Sequence, residues 1–132
     1  MIVTPFYAGL LALWFAVLSL RVIMRRRSNA TSLGDGGNAG LLRAIRGHGN
    51  FAEYVPLILL MMALLEFGHT SIYVLHALGI LLVVARLLHG YALSFTGRFF
   101  LGRVAGTLLT LFVLTASAVL CILQGLRGLP LL

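Results

Sequence analysis

The stretch VPLILLMMALL, residues 55–65, contains no charged or amide side chain. It continues a helical pattern that begins near Leu41, and together they reach the length of about 20 residues that a helix needs to cross a bilayer. Three further apolar runs have the same character, and with this one they predict spans at residues 2–24, 41–67, 71–94 and 100–124. The sequence therefore predicts an all-α integral membrane protein, an up-down four-helix bundle that forms one domain over residues 1–132.

The composition excludes several other classes of protein. Hydrophobic residues make up 61% of the 132 residues and charged residues 10%, against roughly half and about a quarter in soluble domains. Such a chain has too few polar side chains to cover a soluble surface, and the same hydrophobicity excludes disorder. The single cysteine, Cys121, excludes a disulfide scaffold.

The net charge of +7 comes from ten arginines, with no lysine, against three acidic residues. A surplus of this size often indicates a nucleic-acid partner. Here, however, the arginines gather around the first and third connections: Arg21, Arg25, Arg26, Arg27, Arg43, Arg46, Arg86, Arg98 and Arg103. Short arginine-rich loops stay in the cytoplasm. We therefore expect both termini outside, the first and third connections in the cytoplasm, and no nucleic-acid partner.

Polar residues inside the helices are not required by this topology. Arg46, Asn50 and Glu53 are spaced i, i+4 and i+7, which places them within about 60° on one face of the second helix. Arg86 and His89 share a face of the third helix. An ionised side chain in the hydrocarbon region costs about 2.5–3.5 kcal/mol, so these groups should face the bundle interior. Glu53 is predicted to form a structural ion pair with Arg86, with Arg46, or with both.

Two interpretations of this polar cluster remain open at this stage. In one, the cluster fixes helix register and every charge is satisfied internally. In the other, Arg46, Arg86 and Arg98 converge around a single carboxylate, and the excess of positive charge binds an anion. The count of charges favours the second interpretation, because guanidinium groups suit carboxylate or phosphate ligands.

Other polar and aromatic residues point to no separate chemistry. His69 and His76 have no acidic or cysteine cluster nearby, so no metal site is expected. The aromatic side chains of the first helix, Tyr7, Trp14 and Phe15, suit positions at the membrane interface or facing lipid.

The stretch RAIRGHGNFAEYVP, residues 43–56, resembles the signature of the MAPEG family, the membrane-associated proteins in eicosanoid and glutathione metabolism. The resembling pattern is Arg-x-x-x-Asn-x-x-Glu-x-x-Pro on the second of four helices. The preceding GDGG at 34–37 is similar to the small bacterial members, and RLLHGY at 86–91 resembles the third-helix segment of the family. The resemblance implies a four-helix bundle that assembles as a homotrimer in the lipid bilayer, with glutathione bound near the cytoplasmic face between subunits.

The resemblance also assigns roles to individual residues. Those implied to bind glutathione as co-substrate are Arg46, Asn50, Glu53, Tyr54, His89 and Tyr91. Arg98 matches the arginine credited with stabilising the glutathione thiolate, and is the implied catalytic residue. One of the three arginines at 25–27 would reach the ligand from the first helix. A hydrophobic electrophile or lipid hydroperoxide would arrive from the bilayer.

The implied function is that of a glutathione-dependent membrane transferase or peroxidase. The alternative is a non-catalytic protein of the same fold that binds an anionic ligand or a lipid headgroup. Gly49 stands where prostaglandin E synthases carry an arginine, and Phe99 stands where they carry a serine, so a role specific to eicosanoids is not supported. Short loops and the lack of a targeting segment lead us to expect a bacterial inner membrane.

Overall fold

Four long helices make up most of the computed structural model, which describes residues 2–128. They are α1 (Val3–Ser28), α2 (Ala39–Phe67), α3 (Ile72–Tyr91) and α4 (Phe100–Gly128). Each is long and apolar enough to cross a membrane. A bilayer favours helices because they satisfy backbone hydrogen bonds internally. The predicted all-α membrane bundle of four helices is confirmed, with bounds close to the predicted spans.

The third helix runs further than predicted, because a π-helix at Ala92–Thr96 continues it up to the turn at Gly97. The last turn of a helix leaves backbone carbonyl oxygens without intrahelical partners. Arg21 of α1 donates from Nε to the carbonyl oxygen of Ser94 at 3.1 Å, and its guanidinium lies 4.8 Å from the centre of the Phe95 ring. Arg21 therefore ties α1 to the end of α3, besides its expected effect on topology.

The core lies where α1 and α4 each pack against α2 and α3. Aromatic side chains of α1 take part in this packing, so a lipid-facing position is wrong for Tyr7, whereas Trp14 and Phe15 are partly exposed. Tyr7 is only 5% exposed and its hydroxyl lies 2.9 Å from Nδ1 of His76. Trp14 donates from Nε1 to the carbonyl oxygen of Arg86 at 3.0 Å, and Phe15 stacks on Phe51. Partners on neighbouring helices turn these rings inward.

The helix ends are held by specific polar contacts. The carboxylate of Glu66, at the end of α2, accepts hydrogen bonds from the backbone N–H groups of Ile2, Val3 and Thr4 at the start of α1. The side chain of Asn38 caps α2 by accepting from the backbone N–H of Leu41 at 2.9 Å. These contacts satisfy donors that the first turn of a helix leaves free.

Helices α3 and α4 approach closely at Gly106. A Cβ atom at that position would lie 2.7 Å from the carbonyl oxygen of Ala85 and 2.8 Å from the backbone nitrogen of His89. Only a residue without a side chain fits at this distance. The crossing fixes where the last third of α3, with Arg86 and His89, lies relative to α4.

Candidate functional site

A cavity of about 320 Å³ lies between α2, α3 and α4 at the arginine-rich end of the bundle. This volume is at the lower end of the range of about 300–1,000 Å³ that is common for small-molecule sites. The cavity is lined by Leu42, Arg43, Arg46, Asn50, His89, Leu93, Arg103 and Thr107. Three of these residues are arginines and none is acidic, so the cavity suits an anionic ligand.

Helix α2 supplies one wall of the cavity. Arg43, Arg46 and Asn50 are spaced i, i+3 and i+7, which brings them within about 60° of one another around the helix. Arg46 and Arg43 are exposed in the single chain, whereas Asn50 is half-buried. The wall therefore combines two solvent-accessible cations near the membrane face with an amide deeper in the bundle.

Arg86 lies behind the cavity and is only 1% exposed. Its Nη1 donates to Oγ1 of Thr110 at 3.1 Å. Its Nη2 donates to Oδ1 of Asn50 at 2.8 Å and lies 3.1 Å from Nδ1 of His89. The Nε atom is buried and has no hydrogen-bond partner among residues 2–128. Because Asn50 and His89 also line the cavity, the buried cation is in direct contact with two residues of the cavity wall.

The predicted ion pair between Glu53 and Arg86 does not form in the single chain. The described hydrogen-bond partners of Arg86 are all neutral, and Glu53 is an exposed residue on the bundle surface. The reason lies in the rotation of α2, which directs Asn50 towards Arg86 and leaves the carboxylate three residues later on another side. A buried charge without an opposite charge is costly, and this one adds to the positive potential beside the cavity.

Three of the residues implied to bind glutathione, Arg46, Asn50 and His89, are brought together in the cavity wall. The others lie elsewhere in the single chain. Glu53 is exposed, as noted above, and Tyr54 packs against the hydrophobic core. Tyr91 is half-exposed and stacks on Phe95 with ring centres 5.8 Å apart.

Arg98, the implied catalytic residue, is exposed in the connection between the π-helix and α4 and does not line the cavity. Arg103, one turn into α4, does so instead, together with Thr107. The i, i+4 spacing of these two residues was a signal in the sequence that they share a helix face. Sequence reasoning assigned Arg103 only to topology, and it missed Arg43 as a cavity residue for the same reason.

Two of the remaining arginines of the first connection, Arg25 and Arg26, have structural contacts. Arg26 donates from Nη1 to the carbonyl oxygens of Gly34 at 2.8 Å and Ser32 at 3.3 Å, which holds the loop. Arg25 lies against Gly40 at the start of α2, where a Cβ atom would be 2.6 Å from its Nη1. None of the arginines at 25–27 lines the cavity.

Comparison with known proteins agrees with this architecture. A family model described as MAPEG family matches residues 4–123. An inner membrane protein of Escherichia coli strain K12, YecN, is 36% identical over 104 residues, which cover 79% of this chain and 78% of the relative. YecN from Escherichia coli O6:H1, strain CFT073, matches with the same identity and coverage.

Proposed function

The chain belongs to the MAPEG family, and from that premise we propose that it is a glutathione-dependent enzyme of the transferase or peroxidase type. Its similarity to an inner membrane protein supports the same location for this chain, in a bacterial inner membrane. The observation that carries the proposal is the cavity lined by three arginines and no acid, with the buried guanidinium of Arg86 behind it.

The ligand chemistry matches this set of side chains. Glutathione carries carboxylates at both ends, and each is suited to a guanidinium fork. Arg43 and Arg46 lie on α2 and Arg103 lies on α4, so the cavity has cations on opposite walls. A ligand with two separated anionic groups, such as a carboxylate and a thiolate, could bind to both walls at once. The half-buried amide of Asn50 and the ring of His89 add neutral hydrogen-bonding groups between them.

We propose Arg103 as the residue that stabilises the glutathione thiolate. A thiol with a pKa of about 8.5 is only a few per cent ionised at neutral pH, and the thiolate is the nucleophile. A guanidinium beside the sulfur favours the ionised form, and each pKa unit of that effect corresponds to about 1.4 kcal/mol. Arg103 also borders a smaller cavity of about 70 Å³, which is lined in part by Phe99 and Phe100.

We further propose that the protein acts as a homotrimer. Glu53 is exposed on the surface of α2, although that helix spans the bilayer. Leaving an ionised side chain in contact with lipid costs about 2.5–3.5 kcal/mol, and a second subunit packed on this face would remove the cost. In that assembly Glu53 would be placed to bind the ammonium group of glutathione.

Binding and turnover measurements on detergent-purified protein test this function. Calorimetry measures glutathione binding, and absorbance follows attack of the thiolate on a chlorodinitrobenzene, in which a C–S bond forms and chloride leaves. Arg103→Ala is expected to lower kcat by about 100-fold, the usual effect of losing one donor to a developing anion. Arg127→Ala is the matched control, because Arg127 lies at the opposite end of α4.

These measurements distinguish Arg103 from Arg98 as the catalytic residue, and they test the enzyme and trimer proposals. A large loss of turnover in Arg98→Ala, with Arg103→Ala unchanged, would return the catalytic role to Arg98 by way of a neighbouring subunit. If the wild-type protein neither binds glutathione nor turns over the electrophile, the enzyme proposal is wrong. Mass measurement in detergent tests the trimer, and a monomer would contradict the intersubunit role of Glu53.

The exposure of Arg43 and Arg46 favours a second candidate function, which is non-catalytic binding of an anionic ligand or a lipid headgroup. Arginines at this depth lie close to lipid phosphates. In that case the protein would bind vesicles or nanodiscs that contain phosphatidylglycerol more tightly than neutral ones, would show no turnover, and would lose the preference in Arg43→Ala.

A further inference from the structure

We propose that Arg86 is a positioning residue, which fixes the amide orientation of Asn50 and the tautomer of His89 so that both side chains present hydrogen-bond donors to the ligand. This inference deepens the proposed function, because it takes the cavity as the ligand site. Asn50 and His89 line the cavity and would contact the ligand, whereas Arg86 lies behind them and would not.

The guanidinium of Arg86 can act only as a hydrogen-bond donor. Arginine has five N–H donors and no acceptor. Any atom within hydrogen-bond distance of Nη2 of Arg86 must therefore be an acceptor, and the two such atoms are Oδ1 of Asn50 at 2.8 Å and Nδ1 of His89 at 3.1 Å. Nη2 carries two hydrogens, so it has one for each partner.

The consequence for His89 is a single neutral tautomer. Nδ1 accepts from Arg86, so it carries no proton, and the ring proton lies on Nε2. Protonation of Nδ1 would break the hydrogen bond and place two cations 3.1 Å apart in a buried site. His89 therefore offers Nε2–H to the ligand as a donor. It does not act as the base that removes the thiol proton.

The consequence for Asn50 is a fixed amide orientation. Its oxygen is held by Arg86, which leaves the Nδ2 amide group, a double donor, for a ligand in the cavity. Thr110 secures Arg86 from the other side. The Oγ1 atom of Thr110 accepts from Nη1 at 3.1 Å, while it donates to the carbonyl oxygen of Gly106 at 2.7 Å.

The cavity wall thus combines three arginines with the Nδ2 amide group of Asn50 and the Nε2–H group of His89, which are donors. A ligand group that binds to these two donors must be an acceptor, such as an ionised carboxylate or a thiolate. An ester or amide in the same place keeps a carbonyl acceptor but loses the charge-assisted bonds, which are roughly twice as strong as neutral ones. The site therefore selects the ionised form of its ligand, and Arg86 contributes to this selection without touching it.

The first test is spectroscopic and needs no ligand. Protein with ¹⁵N-labelled histidine is studied by NMR in detergent, and the His89 signals are assigned with His89→Gln. Wild-type His89 is expected in one tautomer, with the proton on Nε2. Arg86→Met, which removes every donor, is expected to average the ring signals between two tautomers, and Arg86→Lys is expected to restore the wild-type pattern. Ser117→Ala is the matched control, because Ser117 is also a buried polar residue of α4 and its hydroxyl forms no hydrogen bond with a described residue.

The second test measures selectivity. The ratio of the affinity for glutathione to the affinity for its dimethyl ester is expected to fall about tenfold in Arg86→Met, whereas a purely structural defect would weaken both ligands equally. A wild-type signal with the proton on Nδ1, or the same tautomer in wild type and Arg86→Met, overturns the proposal. If Arg86→Met does not fold, the wild-type tautomer and the Arg86→Lys spectrum still decide. A fixed tautomer in a protein that does not bind glutathione would support the role of Arg86 while contradicting the proposed function.

Discussion

Substitution of Gly106 by alanine is expected to destabilise the protein, although alanine ordinarily favours a helix. A Cβ atom there would lie 2.7 Å from the carbonyl oxygen of Ala85 and 2.7 Å from Cβ of His89. An ordinary van der Waals contact needs 3.4 Å, so the shortfall is 0.7 Å. The oxygen belongs to the backbone of α3, and relief therefore requires that α3 and α4 move apart.

Overpacking of this kind typically costs about 1–3 kcal/mol, while exchange of glycine for alanine in a helix returns up to about 1 kcal/mol. Gly125→Ala separates the two effects, because Gly125 lies in the same helix and has no heavy atom within 4 Å of an added Cβ. The free energy of unfolding, measured by SDS titration in detergent micelles, is expected to be lower for Gly106→Ala than for Gly125→Ala by about 1–3 kcal/mol.

Gly106→Ala is also expected to affect ligand binding in the cavity. Gly106 contacts His89, and its carbonyl oxygen accepts from Thr110, which in turn holds Arg86. Separation of the two helices should therefore weaken glutathione binding in Gly106→Ala but not in Gly125→Ala. Equal stability and equal binding in the two variants would refute the reasoning that this crossing positions the cavity wall.

Two further variants test contacts away from the cavity. Glu66→Ala is expected to lower the free energy of unfolding by about 1 kcal/mol, because three backbone donors at the start of α1 lose their acceptor. The same SDS titration measures it against Glu66→Gln, which keeps an acceptor, and an equal loss in both would argue against capping. His48→Phe is expected to cost about 1 kcal/mol of stability by losing the 3.1 Å hydrogen bond between Nε2 and Oγ of Ser19. Glutathione binding should stay within about 0.5 kcal/mol of wild type by calorimetry, since the ring stacks on Phe15 outside the cavity; a larger change would mean that His48 reaches the ligand.

Part of the candidate site could be predicted from the sequence. Arg46 and Asn50 lie one helical turn apart, and this spacing alone puts them on one face of α2. The position of Arg103 was harder to predict, because an arginine near a helix end serves topology and ligand binding equally well in sequence terms. What distinguishes it is its position across the cavity from α2, and this depends on how α2 and α4 pack.

The hydrogen-bond partners of Arg86 show most clearly what could not be predicted from the sequence. Charge alone suggested Glu53, the one carboxylate near these helix ends. The folded chain instead surrounds the guanidinium with Asn50, Thr110 and His89. Periodicity places Asn50 and Glu53 about 60° apart on α2, so a modest rotation of that helix decides which of them meets α3.

The sequence by itself determined that four apolar helices span a membrane and that positive charge collects at one end of the bundle. Both properties are local, because the length of an apolar run and the position of an arginine do not depend on any other helix. The tertiary structure decided which side of each helix faces inward. That choice depends on contacts between residues far apart in the chain, such as Gly106 against Ala85 and Trp14 against Arg86. These contacts set the rotation of the helices, and the rotation places an unpaired guanidinium behind a cavity lined with arginine.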